Sequence, residues 1–169
     1  MQDLFSIKGK VALVTGGSRG IGAMIARGFV EAGAKVYISA RKEAECAETA
    51  AALSEKGTCI AIPADLSTEA GCRALADAIA AREKKLDILV NNAGANWGAP
   101  LAEFPDSGWD KVLALNVKGP FHMTKMLLPL LEKAGTAADP ARVINIGAID
   151  GLKVPFLETP HGYLNEASV

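Results

Sequence analysis

The stretch Thr15-Gly16-Gly17-Ser18-Arg19-Gly20-Ile21-Gly22 decides how the rest of the chain is read. It follows an apolar run at residues 10–15 (KVALVT) and opens an Ala-rich stretch at residues 20–32, which places it between a strand and a helix. Glycine is needed there where a turn demands positive φ, where the backbone must approach a pyrophosphate, and where helix packs on strand. The helix N-terminus then offers free N–H groups and a positive dipole end to phosphates. The spacing is G-x3-G-x-G, not the common G-x-G-x-x-G, so the weight falls on the strand–helix context; a plain tight turn is the competing reading. The cradle is expected to use Gly16, Ser18, Arg19, Gly20, Ile21 and Gly22.

Outward from this loop, short β-branched runs alternate with longer Ala-rich stretches, the pattern of βαβ units around a parallel sheet. Strands are predicted at residues 10–15, 35–40, 58–63, 86–91 and 142–147. The first helix places Ile21, Ile25 and Phe29 on one face. The second is predicted over 41–56 and ends at Gly57 in a left-handed cap. The third starts near Ser67 or Thr68 and puts Cys72, Leu75 and Ile79 on one side. The fourth helical region spans 106–134, interrupted at Gly119-Pro120 and Pro129, and the segment at 95–103 with Trp97 reads as a loop. The fold class is α/β, a doubly wound parallel sheet of the Rossmann type with about five strands.

Composition fits this reading. The chain has 169 residues, half of them apolar, 22% charged, with 17 glycines against 8 prolines, which excludes a disordered chain, a collagen and a disulfide scaffold. A net charge of −1 leaves no basic surplus for nucleic acid. Cys46, Cys59 and Cys72 lack metal-ligand spacing, so no metal site is expected and a cytoplasmic, reducing compartment is the natural reading. No leader is evident at the N-terminus, and no apolar run approaches the roughly 20 residues that span a bilayer, so no membrane partner is expected.

Cofactor choice follows from the end of the second strand. A chain binding NAD usually carries Asp or Glu there for the ribose 2′-OH, but this one reads Ser39-Ala40-Arg41. Arg41, with Arg19 from the glycine loop, suits a 2′-phosphate, which favours NADP(H); two solvated surface arginines are the alternative.

These residues resemble the short-chain dehydrogenase/reductase family, of the type with a TGxxxGIG loop and a later NNAG motif. Residues 15–22 match the first motif and Asn91-Asn92-Ala93-Gly94 match the second. Asp65-Leu66 looks like the family's adenine contact, Asn116 like its helix-borne asparagine, and residues 143–147 like the strand leading to the catalytic serine. The resemblance covers about residues 5–152, closest in flavour to ketoacyl and related carbonyl reductases. It implies cofactor contacts at Asn92, Ala93 and Gly94 besides those named above. It also implies hydride exchange between a nicotinamide and a small-molecule carbonyl or alcohol, through asparagine, serine, tyrosine and a lysine four residues beyond the tyrosine.

The catalytic set matches only in part. Asn116 matches; it follows Val112 on an apolar face and needs a polar partner there, and Pro120 has no N–H for the Asn116 carbonyl, leaving it for a water relay. The serine position holds Ala148, and the nearest hydroxyl to it in sequence is Thr159. Tyr163 lies near the expected distance, but Ala167 stands where the lysine belongs and no lysine follows Lys153. A tyrosine in a loose terminal segment is the competing reading, and His161 is a weak replacement acid. The chain ends at Val169 before any sixth strand, so the C-terminal part of the design is expected to be missing.

Residues 1–169 are expected to form a single dinucleotide-binding domain, with 152–169 an atypical tail. Three readings stand: an NADP(H)-dependent carbonyl reductase, possible substrates including 3-oxoacyl groups, with impaired catalysis; a non-catalytic dinucleotide-binding module; and a structural fragment. The apolar fifth strand at an open edge and the long helical region point to a homo-oligomer.

Overall fold

The structure, a computed structural model, describes residues 5–148 and 161–164. From the amino end the order is β1 (Val11–Thr15), α1 (Gly20–Glu31), β2 (Lys35–Ser39), α2 (Glu43–Ser54), β3 (Thr58–Ala61) and α3 (Glu69–Ala80). There follow β4 (Ile88–Asn91), β5 (Trp97–Pro100), α4 (Asp106–Leu113), a π-helical turn (Ala114–Lys118), α5 (Gly119–Ala134), β6 (Arg142–Asn145) and β7 (His161–Leu164). Among the described residues, five strands form one sheet in the order β3-β2-β1-β4-β6, every pair parallel. This is the doubly wound order expected from sequence, with slightly shorter strands.

The centre of the sheet is buried on both faces because its strands carry apolar residues at every position. Along β1, Val11 and Leu13 join Tyr37, Leu89, Leu75 and Leu127 on the side of α3 and α5. Ala12 and Val14 join Val36, Ile38, Val90 and Val30 on the side of α1 and α2. The period of two along the strand thus divides one run between two cores. The three cysteines are free and buried, and burial pushes their thiols up, Cys59 to about 11. They behave as small core hydrophobes.

Several expectations are corrected. The fully buried face of α1 is Gly22, Ala26 and Val30, with Ile25 and Phe29 packed half-buried against the same core, while Ile21 is 57% exposed. Small residues win that face because the helix lies too close to the β1 turn for a large one. Gly57 does not take positive φ. A Cβ there would stand 2.9 Å from Val30 Cγ1, so its smallness admits α1 rather than capping α2. The predicted loop at 95–103 contains β5, which pairs antiparallel with β7 in a second sheet. Pro129 is accommodated inside α5, and only Gly119-Pro120 marks a break. Trp109 is 45% exposed and meets Phe104 edge to face.

Candidate functional site

The strand order reverses between β1 and β4, and an open α/β sheet forms its ligand crevice at the carboxyl ends of strands at such a point. A cleft of about 310 Å³ lies there. One wall is the loop after β1 with the start of α1 (Gly16, Ser18, Arg19, Gly20, Ile21, Gly22), and a second is the end of β2 with the start of α2 (Ser39, Ala40, Arg41, Lys42, Glu45). Ala64, Leu66, Asn92, Ala93, Gly94 and Leu115 complete it.

Local chemistry fixes the walls. Gly16 has φ +65, the left-handed region that L side chains rarely adopt. Thr15 Oγ1 accepts hydrogen bonds from the backbone N–H of Asn92 (2.9 Å) and Ala93 (3.0 Å) and donates to Val90 O (3.2 Å). In return Asn92 Nδ2 donates to Thr15 O (3.0 Å) and Gly16 O (3.3 Å). The Asn91-Asn92-Ala93-Gly94 segment therefore braces the glycine loop, and the Asn92 amide is engaged in that brace. Gly17 N–H donates to Ser39 O at 3.1 Å, and Thr49 Oγ1 lies 2.7 Å from Ser18 O, which tie the same loop to β2 and α2.

Among the described residues, two groups on these walls are left without a side-chain partner. The N-cap of α1 is Arg19, whose side chain makes no cap hydrogen bond, so the first-turn N–H groups are not capped by a side chain. Ser39 Oγ, at the cleft end of β2, is buried without a hydrogen-bond partner among the described residues. A phosphorylated dinucleotide supplies acceptors for both, so the residues present fit such a cofactor.

Every residue expected to bind the cofactor lines this cleft except Asp65. Its Oδ1 accepts from Ser67 N–H (3.1 Å) and Ser67 Oγ (2.7 Å), building the turn before α3. Burial pushes the Asp65 carboxyl up, but the two Ser67 bonds and the Arg41 charge outweigh it and hold it below its usual range. Ser39, Lys42, Glu45 and Leu115 were not expected there. Ser39 could have been found as the last polar residue of an otherwise apolar buried strand.

Asn116 sits in the π turn, and its amide clasps the backbone of Ala95: Nδ2 donates to Ala95 O and Oδ1 accepts from Ala95 N–H, both at 2.8 Å. The polar partner expected for Asn116 is thus the segment following Gly94. Pro120 offers no N–H to the preceding turn, which widens so that Gly119 N–H reaches Ala114 O. Replacing Asn116 by alanine is expected to cost about 1–2 kcal/mol, since it frees two backbone groups. Faster amide exchange at Ala95 in the variant checks this; unchanged exchange would contradict the clasp.

Ala148 brings a half-buried methyl three residues after β6. Tyr163 lies on β7 with its backbone opposite Gly98, so it belongs to a paired strand, not a loose terminal segment. The side chains of Tyr163 and His161, and the positions of Gly151, Lys153, Thr159 and Ala167, lie outside the described residues.

Comparison with known proteins agrees with this geometry. The short chain dehydrogenase family profile matches residues 10–161. The rhamnolipids biosynthesis 3-oxoacyl-[acyl-carrier-protein] reductase of Pseudomonas aeruginosa is 57% identical over 152 residues, covering 90% of this chain and 59% of that protein. A solved Pseudomonas aeruginosa RhlG/NADP active-site complex superposes with a TM-score of 0.89 at 55% identity, over 93% of this chain and 61% of that one. A metagenomic short-chain oxidoreductase in complex with NADP gives a TM-score of 0.79 at 36% identity, over 89% of this chain and 66% of that one. The chain thus spans about six-tenths of the length of the first two of these relatives. With the glycine loop, the Asn92 brace and the five-strand order in place, the chain belongs to the short-chain dehydrogenase family.

Proposed function

We propose that this chain binds NADP(H) in the cleft and serves an oxidoreductase that reduces a small-molecule carbonyl, with a 3-oxoacyl group the favoured substrate class. The observation that carries it is that Arg19, Arg41 and Lys42 line the same cleft as the orphaned hydroxyl of Ser39, with no acid at the tip of β2. The uncapped start of α1 would receive the pyrophosphate, Arg19 and Arg41 the 2′-phosphate, and Leu66 an apolar face of the adenine. When bound, the nicotinamide supplies the hydride. Asn92 and Asn116 act by position: one braces the glycine loop and the other fixes Ala95 beside Gly94. The two NADP complexes and the 3-oxoacyl reductase among the relatives support the cofactor and substrate class.

NADPH is expected to bind at least about tenfold more tightly than NADH. Arg41→Ala should remove about ten- to hundredfold of NADPH affinity, the worth of one charged hydrogen bond, and change NADH about twofold at most. Fluorescence titration decides; equal affinities for the two nucleotides would overturn the choice.

A non-catalytic dinucleotide-binding module is the second reading, and Ala148 favours it. A methyl group cannot donate to a developing alkoxide, and loss of one such donor typically costs about 10²–10³ in rate. NADPH consumption with ketones and ketoacyl thioesters separates the readings: turnover supports the reductase, and tight binding without turnover supports the module. No helix among the described residues is long and apolar enough to cross a membrane. The exposed Val117, Phe121 and Leu128 and the exposed β6 residues Val143 and Ile144 support a homo-oligomer.

A further inference from the structure

Three cations and one carboxylate line the cleft among the described residues: Arg19, Arg41, Lys42 and Glu45. The carboxylate is already engaged, because Lys42 Nζ donates to Glu45 Oε1 at 2.5 Å. We propose that Glu45 is a built-in competitor for the cofactor's 2′-phosphate, holding Lys42 and opposing the phosphate charge, and so setting how strongly the phosphorylated dinucleotide is preferred. This rests on the NADP(H) reading above and deepens it.

The geometry confines the effect to one end of the cleft. Glu45 lies in the first turn of α2, beside the end of β2, whereas the uncapped N–H groups lie at the start of α1. A phosphate placed among Arg19, Arg41 and Lys42 would meet the Glu45 carboxylate at the same cations, and like charges brought to one site repel. The bond to Lys42, with the nearby Arg19 charge, holds the Glu45 carboxyl below its usual range, so it is ionised at neutral pH. Asp65 is a weaker rival because Ser67 already satisfies one of its oxygens. The Lys42–Glu45 pair is solvated, with side chains 69% and 41% exposed, so the fold does not depend on it. A variant at Glu45 should therefore fold, and its binding should report charge.

The test is calorimetric titration of the intact chain with NADPH, NADH, 2′,5′-ADP and 5′-AMP, which differ pairwise by the 2′-phosphate. Glu45→Gln is expected to tighten NADPH and 2′,5′-ADP about three- to tenfold, and NADH and 5′-AMP less than about twofold. The gain should vanish near 1 M salt, where the Debye length is about 3 Å. Glu45→Asp, which keeps the charge, should bind like the wild type, and adding Lys42→Met to Glu45→Gln should remove most of the gain. Equal gains for all four ligands, or none, would overturn the inference while leaving the cofactor reading intact. Failure of the wild type to bind either dinucleotide sinks that reading, and this inference with it.

Discussion

Gly22→Ala is expected to weaken NADPH binding by about a hundredfold while the sheet remains folded. A Cβ at Gly22 would stand well inside van der Waals contact distance of Gly16 O and 2.5 Å from Asn92 Nδ2. The first obstacle is backbone, and the second is an amide fixed by its bonds to Thr15 O and Gly16 O, so neither can move aside cheaply. The helix start must retreat from the loop, and the N–H groups that would meet a pyrophosphate retreat with it. Overpacking of this kind costs about 1–3 kcal/mol, and about 2.8 kcal/mol is a hundredfold in affinity. Gly20→Ala is the informative contrast. Gly20 has φ +54 but nothing within 4 Å of a Cβ, so that variant meets conformational strain of about 1–2 kcal/mol without a clash, for about tenfold in binding. Dissociation constants and thermal melts of the two variants separate collision from strain. A Gly22→Ala affinity within about threefold of wild type would show that this approach does not shape the cleft.

The glycine loop was legible because its residues do chemistry at their own positions: strand, turn and helix start are adjacent in sequence. The burial of β1 on both faces was legible for the same reason, since its apolar run leaves no solvent-facing side. Ile21 misled, because periodicity finds the most apolar face of a helix and not the face that must come closest. Gly22 and Ala26 face the sheet because they are small, and Ile21 is left on the wall of the cleft. The need of Asn116 for a polar partner could be read from sequence, but the partner, Ala95, is 21 residues away and is set by how the π turn packs. Glu45 was overlooked for a different reason: its partner Lys42 is only three residues away, but an acid in a helix N-terminal turn is ordinary, and only the fold brings Arg19 and the cleft to it. Asp65 Oδ1 also builds its own turn through Ser67, a local bond that the motif reading did not include. Local rules reach the elements and the loop; contacts between elements need the sheet order first.

Asp87→Ala is expected to cost about 3 kcal/mol of stability and leave cofactor affinity unchanged. Asp87 is 1% exposed and sits at the amino end of β4, the end of the sheet opposite the cleft. Its Oδ2 accepts from Val11 N–H at 2.9 Å, and its Oδ1 accepts from Lys85 at 3.0 Å and Lys10 at 3.4 Å. Its backbone also bonds Val11 O and Arg142 N–H, so β1, β4 and β6 meet at this residue. Truncation orphans a buried backbone donor, at about 1–3 kcal/mol, and removes the charge that faces two lysines. Asp87→Asn should cost about half as much, because an amide oxygen can still accept from Val11. Burial pushes the Asp87 carboxyl up, but the Val11 N–H and the two lysines outweigh it and hold it below its usual range. A depressed folded-state value means that the contribution is complete above the unfolded carboxylate value of about 3.9 and is lost as pH falls through the folded one. The stability gap between wild type and Asp87→Ala should therefore be full at pH 7 and narrow below about pH 4, where only the neutral hydrogen bond remains. Urea unfolding across that range, paired with NADPH titration at pH 7, measures both halves. A gap below about 1 kcal/mol, or one that does not narrow in acid, would show that the charge of Asp87 does not hold the amino ends of these strands together.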